Sequence, residues 1–433
     1  MLDCKTREAV IGLEVFYTDT AGIGGRLKRF PEDFLVGEIS TYPEKVENGA
    51  YVIAKVTSQN WEMNRLVREL SNALGISRER IGFAGTKDKR AITTQLMSFQ
   101  APLERVTSLN VSQVRIEDAY LAKKAINIGD LSGNKFIIKV TEPTLSGQEL
   151  NDSLAGTAKA LKELGGFPNF FGVQRFGAVR PVTHEVGKWI VKGDFERAVM
   201  TYAANPVPQE NEETRTARAM LEETRDFEQA IEYFPRTLTF ERMMIGFLAR
   251  NPGEYAGAIQ VMPPNLQMMF VHAYQSYLFN RTLSERIRQG LPINKPLVGD
   301  IVLPADRLGI PDHDHGVPVT AQNMDLVERQ VRLGRAFVSG SLFGSESVLP
   351  EGVMGDIERK VIDEEGLERK DFLVPPLPHC SSKGSKRELL ARITDLKYDV
   401  QDDDVTFSFS LNKGCYATCL LREFMKKGEL MDY

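Results

Sequence analysis

The chain has 433 residues, 42% of them hydrophobic and 26% charged, with 54 Lys and Arg against 59 Asp and Glu for a net charge of −5. That is long for one core at the composition of a folded soluble protein, so two domains or three are expected. No stretch is apolar and long enough to span a membrane, and MLDCKTREAV lacks the apolar core of a signal peptide. The four cysteines (Cys4, Cys380, Cys415, Cys419) are too few and scattered for a disulfide framework or a zinc ribbon, which points to the cytoplasm. The negative charge is uneven. Residues 60–140 carry 13 Lys and Arg against 8 Asp and Glu, while acidic residues gather at 209–228, 356–371 and 402–404. A local basic face is enough to steer a polyanion.

In chain order, residues 1–25 read as an extended, Gly-rich lead-in ending in AGIGGR. A Pro-Glu-Asp turn then precedes the strand-like Phe34, Val36 and Ile39. YVIAKVTSQ (51–59) alternates as a strand with Val52, Ala54 and Val56 on one face. WEMNRLVRELSNALG (61–75) places Met63, Leu66, Val67, Leu70 and Leu74 at helical spacing, with Asn60 as the expected N-cap and Gly75 as the stop. Strands are expected in 108–122 and 134–143, and a helix over 148–166 that closes on paired glycines. DFERAVMTYAAN (194–205), an acidic stretch near 210–232 and residues 268–289 read as strongly helical, a loop-rich region follows at 302–319, and 391–424 reads as two strands and a helix. Strands interrupted by helices of this length indicate an α+β fold with a mixed or antiparallel sheet.

The stretch with chemistry in it is GFAGTKDKRAITTQ (82–95). Gly82 and Gly85 allow a shaped loop, into which the sequence sets Asp88 between Lys87, Lys89 and Arg90. Cations around a carboxylate favour its ionised form and draw anionic ligands. The two residues between the glycines do not fit a nucleotide P-loop, which needs four and then Lys-Ser/Thr. By itself, though, such a charge run is more often a solvated turn.

Several stretches together resemble the TruD family of pseudouridine synthases: GFAGTKDKRAITTQ, RLKRFPEDFLVGEI (26–39), LSGNKFIIKV (131–140), NFFGVQRFG (169–177) and FSLNKGCYATCLLREF (409–424). They occur in the family's order and reach from near one end of the chain to near the other. The resemblance implies a pseudouridine synthase domain, here 1–194 with 389–433, split by an inserted α/β TRUD domain at 195–388. It also implies isomerisation of uridine to pseudouridine in tRNA, at position 13, with Asp88 as the catalytic carboxylate and Lys28 pairing with it. Phe34 is expected to wall the pocket or to be core, and Lys87 to face the substrate. Phe171 is expected to stack on the flipped uracil, with Asn169 bonding near it and Gln174 and Arg175 holding the loop or a phosphate. Phe170 and Phe176 read as core.

No cofactor or metal is expected, because the reaction exchanges neither electrons nor water overall. A monomer is the expected state. GNKF (133–136) and NKGCYATCLLRE (412–423) read as structural, with Gly133 and Gly414 as turn formers and Arg422 pairing with a carboxylate. Tyr274 and Gln275 are possible RNA contacts. His313, Asp314 and His315, with Asp306 or Asp312, could hold a divalent ion, although a merely polar loop is the commoner outcome. Two rival functions remain at this stage: a non-catalytic RNA-binding or chaperone protein, and a metal-dependent nuclease centred on 306–315.

Overall fold

The computed structural model describes residues 2–3, 7–307 and 309–428, so Cys4 lies outside the described residues. Contacts divide them into two compact units, 20–167 with 391–427, and 168–390 with the residues up to 19. Against the expected break near 195, the second unit begins at Pro168 and also takes in the start of the chain. The cause is visible in the hydrogen bonds. Asn280 Nδ2 donates to the Ile11 carbonyl at 3.0 Å and Ser284 Oγ to the Gly12 carbonyl at 2.9 Å, while Asn169 N donates to the Leu389 carbonyl at 2.9 Å. Residues expected to be an extended lead-in thus include a 3-10 turn at Arg7–Ile11.

The first unit is built on a sheet of nine strands: β1 (Gly24–Arg26), β2 (Phe34–Ser40), β3 (Tyr51–Gln59), β4 (Ile81–Phe83), β5 (Ile92–Phe99), β6 (Val114–Ala122), β7 (Leu131–Pro143), β8 (Thr394–Gln401) and β9 (Asp404–Asn412). The main order is β8-β9-β7-β2-β5-β3-β6, with β1 also pairing β7 and β4 also pairing β5. Pairing is antiparallel except between β2 and β5, where Leu35 faces Ile92 and Val36 faces Thr93. Alternation decides the faces. Val52, Ala54 and Val56 of β3 pack on Met63, Leu66, Val67, Leu70 and Leu74 of helix α1 (Met63–Leu74). Each such fully buried aliphatic side chain is worth about 1.5–3 kcal/mol of transfer free energy. The cap of α1 is Glu62, whose carboxylate accepts from the Asn64 and Arg65 amides at 2.9 Å; Asn60, the expected cap, instead sits at φ +60°. Gly75 stops the helix at φ +62°.

Among the described residues this unit also holds the short helix Leu103–Thr107 and two longer ones, α2 (Gly147–Leu164) and α3 (Ala417–Met425). Phe424 of α3 packs on Phe407 of β9 at 4.8 Å between ring centres. Gly133 is no turn former: it lies inside β7, where a Cβ would run into the Leu411 carbonyl of β9. Gly414 does turn the chain, at φ +82°. Arg422 is buried beside the Glu423 carboxylate at 3.7 Å.

The second unit is mainly helical. Its long helix Pro264–Arg288 is buried at most positions and packs against Thr183–Val191, Gly352–Glu364 and the strand Ala336–Leu342. At Gly187 the approach is close enough that a Cβ would run into the Phe270 carbonyl. The four-stranded sheet beside it (Val317–Pro318, Ile301–Pro304, Ala336–Leu342, Ser385–Glu388) is antiparallel throughout, so this unit is α+β rather than the expected α/β. Arg286 and Asp300 form a bidentate pair at 2.7 and 2.8 Å with both side chains fully buried. Among the described residues no helix is long and apolar enough to cross a membrane.

Candidate active site

The parallel pairing of β2 with β5 determines where the chemistry sits. Because the two strands run the same way, the segments that lead into them emerge at the same end of the sheet. Lys28 lies on the approach to β2 and Asp88 on the loop from β4 to β5. Lys28 Nζ donates to Asp88 Oδ1 at 2.5 Å, with the two side chains 15% and 32% exposed. The pair is therefore mostly covered, with Asp88 the more open of the two to a ligand. Lys28 adopts φ +55°, a left-handed conformation unusual for a residue with a Cβ and characteristic of constrained functional positions. Its ammonium lies 4.2 Å from the centre of the Phe34 ring. That ring is buried, edge-on to Phe136 at 6.3 Å, so Phe34 is both core and the floor under Lys28.

Lys87 does not face a substrate. Its Nζ bonds to Glu38 Oε2 of β2 at 2.6 Å, with both side chains almost wholly buried. Ser40 Oγ donates to the other Glu38 oxygen at 2.5 Å. The ammonium is consumed in anchoring the loop one residue before Asp88, which corrects the expectation of a substrate contact. Further along, Arg90 Nη2 donates to the Arg29 carbonyl at 2.5 Å and Arg29 Nη1 to Glu142 Oε1 at 2.7 Å. Lys89 and Arg90 stay exposed on the surface of the loop.

Asn169, Phe171, Gln174 and Arg175 fall in the second unit. Asn169 is fully buried and its amide is occupied: Nδ2 donates to the Glu388 carbonyl at 3.0 Å and to Glu388 Oε1 at 2.9 Å, and Oδ1 accepts from Arg387 Nη2 at 2.6 Å. It supports its neighbours instead of presenting an edge to a base. Phe171 takes part in the wall of a cavity of about 390 Å³, together with Arg175, His272, Ser276, Lys386 and Arg387. The Arg387 guanidinium lies 4.1 Å from the Phe171 ring centre. Arg175 Nε donates to Ser276 Oγ at 3.2 Å, and Gln174 is exposed. Phe170 and Phe176 are core, as expected. Burial pushes the His272 imidazole down, and nearby Arg175 adds to the effect.

Tyr274 is buried with its hydroxyl on Glu365 at 3.0 Å, so it is not an RNA contact, whereas Gln275 lines the cavity. His313 and His315 turn to different partners: His313 Nε2 meets Glu388 Oε2 at 3.0 Å and His315 Nδ1 meets Asp312 Oδ2 at 2.9 Å. Among the described residues no three His, Cys, Asp or Glu side chains are grouped as ligands. For Glu388, burial acts to raise the carboxyl, but His313 and Arg387 outweigh it and hold it below its ordinary range. Arg387 and Glu388 were not legible as site residues. Glu38 was missed as well, although its place on the same face of β2 as Phe34 and Val36 was a signal, since a buried acid requires a cation.

The first unit thus presents a cation-paired aspartate from a basic loop at one end of a mixed sheet. The family model described as tRNA pseudouridine synthase D (TruD) matches residues 10–424, and the chain belongs to that family. A relative from Methanococcoides burtonii, described as probable tRNA pseudouridine synthase D, is 44% identical over 97% of both chains. One from Thermococcus sibiricus with the same description is 38% identical over 95% of this chain and 97% of its own. A crystal structure of a Methanosarcina mazei protein described as tRNA pseudouridine synthase D superposes with a TM-score of 0.85 at 39% identity, covering 98% of each chain.

Proposed function

We propose that the chain isomerises uridine to pseudouridine at position 13 of tRNA, with Asp88 as the reacting carboxylate. The observation that carries this reading is the Lys28–Asp88 pair, held at 2.5 Å at one end of the β2–β5 pair and still partly open to solvent. In the reaction the bond from uracil N1 to ribose C1′ breaks and a bond from C5 to C1′ forms. The C5 proton leaves and N1 gains one, so atoms and electrons balance without a co-reactant. Asp88 serves as nucleophile or as electrostatic partner to the ribose carbon. Lys28 fixes the carboxylate's rotamer through the bond from its Nζ to Oδ1. A base paired in a folded RNA has to leave the stack to reach such a group. In the second unit, Phe171 and Arg175 contact the RNA from the cavity wall, which suits an aromatic face beside cations. The exposed Lys89 and Arg90 attract phosphate. The reading includes action as a monomer in the cytoplasm, without a cofactor.

The test is incubation of an unmodified tRNA transcript with wild-type protein and Asp88→Asn in the presence of chelator, with pseudouridine mapped by carbodiimide and primer extension. A stop at uridine 13 with wild type alone is the expected result. A fully active Asp88→Asn would reject the assigned role, and a stop elsewhere would reject the position. RNA cleavage that requires an added divalent ion would favour a nuclease instead.

A further inference from the structure

Within the second unit the PDHDHG loop reaches a chain of polar contacts that ends on an aromatic ring. His313 Nε2 lies 3.0 Å from Glu388 Oε2, while Glu388 Oε1 accepts from Asn169 Nδ2 at 2.9 Å, so the two carboxylate oxygens are divided between two partners. Asn169 Oδ1 in turn accepts from Arg387 Nη2 at 2.6 Å, and Arg387 Nε donates to the Asn169 carbonyl at 3.1 Å. These bonds lay the guanidinium 4.1 Å from the centre of the Phe171 ring, on the wall of the cavity. Asn169, Arg387 and Glu388 are all buried, whereas the His313 side chain is 47% exposed. Buried polar networks of this kind act as a unit, because each member's orientation is the one that satisfies its neighbours.

We propose that His313 is a positioning residue: by holding one oxygen of Glu388 it fixes Asn169 and Arg387, and through them the Phe171 ring that faces RNA. The proposal rests on the reading above that Phe171 contacts the RNA. Its logic is one of competition. With Oε2 released, the Glu388 carboxylate is free to turn towards the adjacent guanidinium, and Arg387 then leaves the ring for the stronger charge partner. A stacked guanidinium also stiffens the aromatic face it covers, so its loss is felt as weaker capture of a base or ribose. Because His313 is on an exposed loop, its replacement leaves the core of the unit intact.

The experiment measures binding of an unmodified tRNA transcript in an Asp88→Asn background, where turnover does not obscure affinity. His313→Ala should weaken Kd about 5-fold to 10-fold, the size of a lost stacked cation. His313→Gln, which keeps a side-chain donor for Glu388, should recover most of that loss. On top of Phe171→Leu, which itself weakens binding, His313→Ala should add nothing, because its effect passes through the missing ring. Full additivity with Phe171→Leu would overturn the proposal, as would unchanged binding by His313→Ala beside a weakened Phe171→Leu. Wild-type affinity for Phe171→Leu would instead overturn the underlying reading that Phe171 touches RNA. Matching thermal melts of all variants confirm that the losses are not unfolding.

Discussion

Replacing Lys87 by Met leaves the Glu38 carboxylate, 1% exposed, without its cation. Breaking a buried pair from one side costs about 3–5 kcal/mol, because the remaining charge is stranded away from water. Ser40 Oγ still donates to Glu38 at 2.5 Å, which puts the expected loss near the lower end, about 3 kcal/mol. For a domain of this size each kcal/mol shifts the melting temperature by about 2–4 °C, so Lys87→Met should melt roughly 6–12 °C lower in calorimetry. Adding Glu38→Leu removes both charges together and should recover most of the loss, since a buried pair is close to neutral against apolar residues of similar volume. Activity should fall with the single change, because the anchor is adjacent in sequence to Asp88. A shift under about 2 °C, or a double variant less stable than the single, would refute the argument that this pair anchors the loop.

Lys28→Met should behave in the opposite way. Its pair keeps more contact with water than the Lys87–Glu38 pair, so stability should fall less, by about 1 kcal/mol, while kcat should drop about 100-fold as Asp88 loses its fixed rotamer. Steady-state kinetics beside a thermal melt checks both, and an unchanged kcat would count against the positioning role. His184, buried between Phe176 and Tyr277, has its imidazole pushed down from 6.5 to about 4, chiefly by burial. The folded state therefore stays neutral while the unfolded chain takes up a proton. The stabilisation is whole above pH 6.5 and is lost as pH falls towards 4, a change of about 3 kcal/mol. His184→Phe should flatten that part of the stability profile in urea titrations run across the same pH range; parallel slopes for the two proteins would contradict it.

Local pattern carried much of the fold. The alternation in YVIAKVTSQ and the apolar spacing of residues 63–74 are each local properties of the chain, and strand β3 and helix α1 follow them closely. The Glu62 cap shows the limit, since a carboxylate three residues before a helical amide competes with Asn60 on terms that depend on backbone angles. The insertion's start was not legible. The helix Thr183–Val191 belongs to the second unit because it crosses the long helix closely at Gly187, sends Val186, Ile190 and Val191 into that unit's core, and pairs Lys188 with Glu365.

The sequence by itself determined which residue types exist to do chemistry: one aspartate in a glycine-shaped basic loop, a lysine before a turn, and an aromatic segment rich in amides. Tertiary structure decided how those residues are used. Parallel pairing of two strands whose partners lie 57 residues apart (Leu35 with Ile92) brings Lys28 onto Asp88, and burial takes Lys87 out of the substrate's reach by giving it to Glu38. The same folding turns Asn169 inward to hold Arg387 and recruits His313 to Glu388. These outcomes depend on which distant groups become neighbours away from water. A charge or amide must then be satisfied by whatever the fold places beside it, and local sequence does not encode that neighbour.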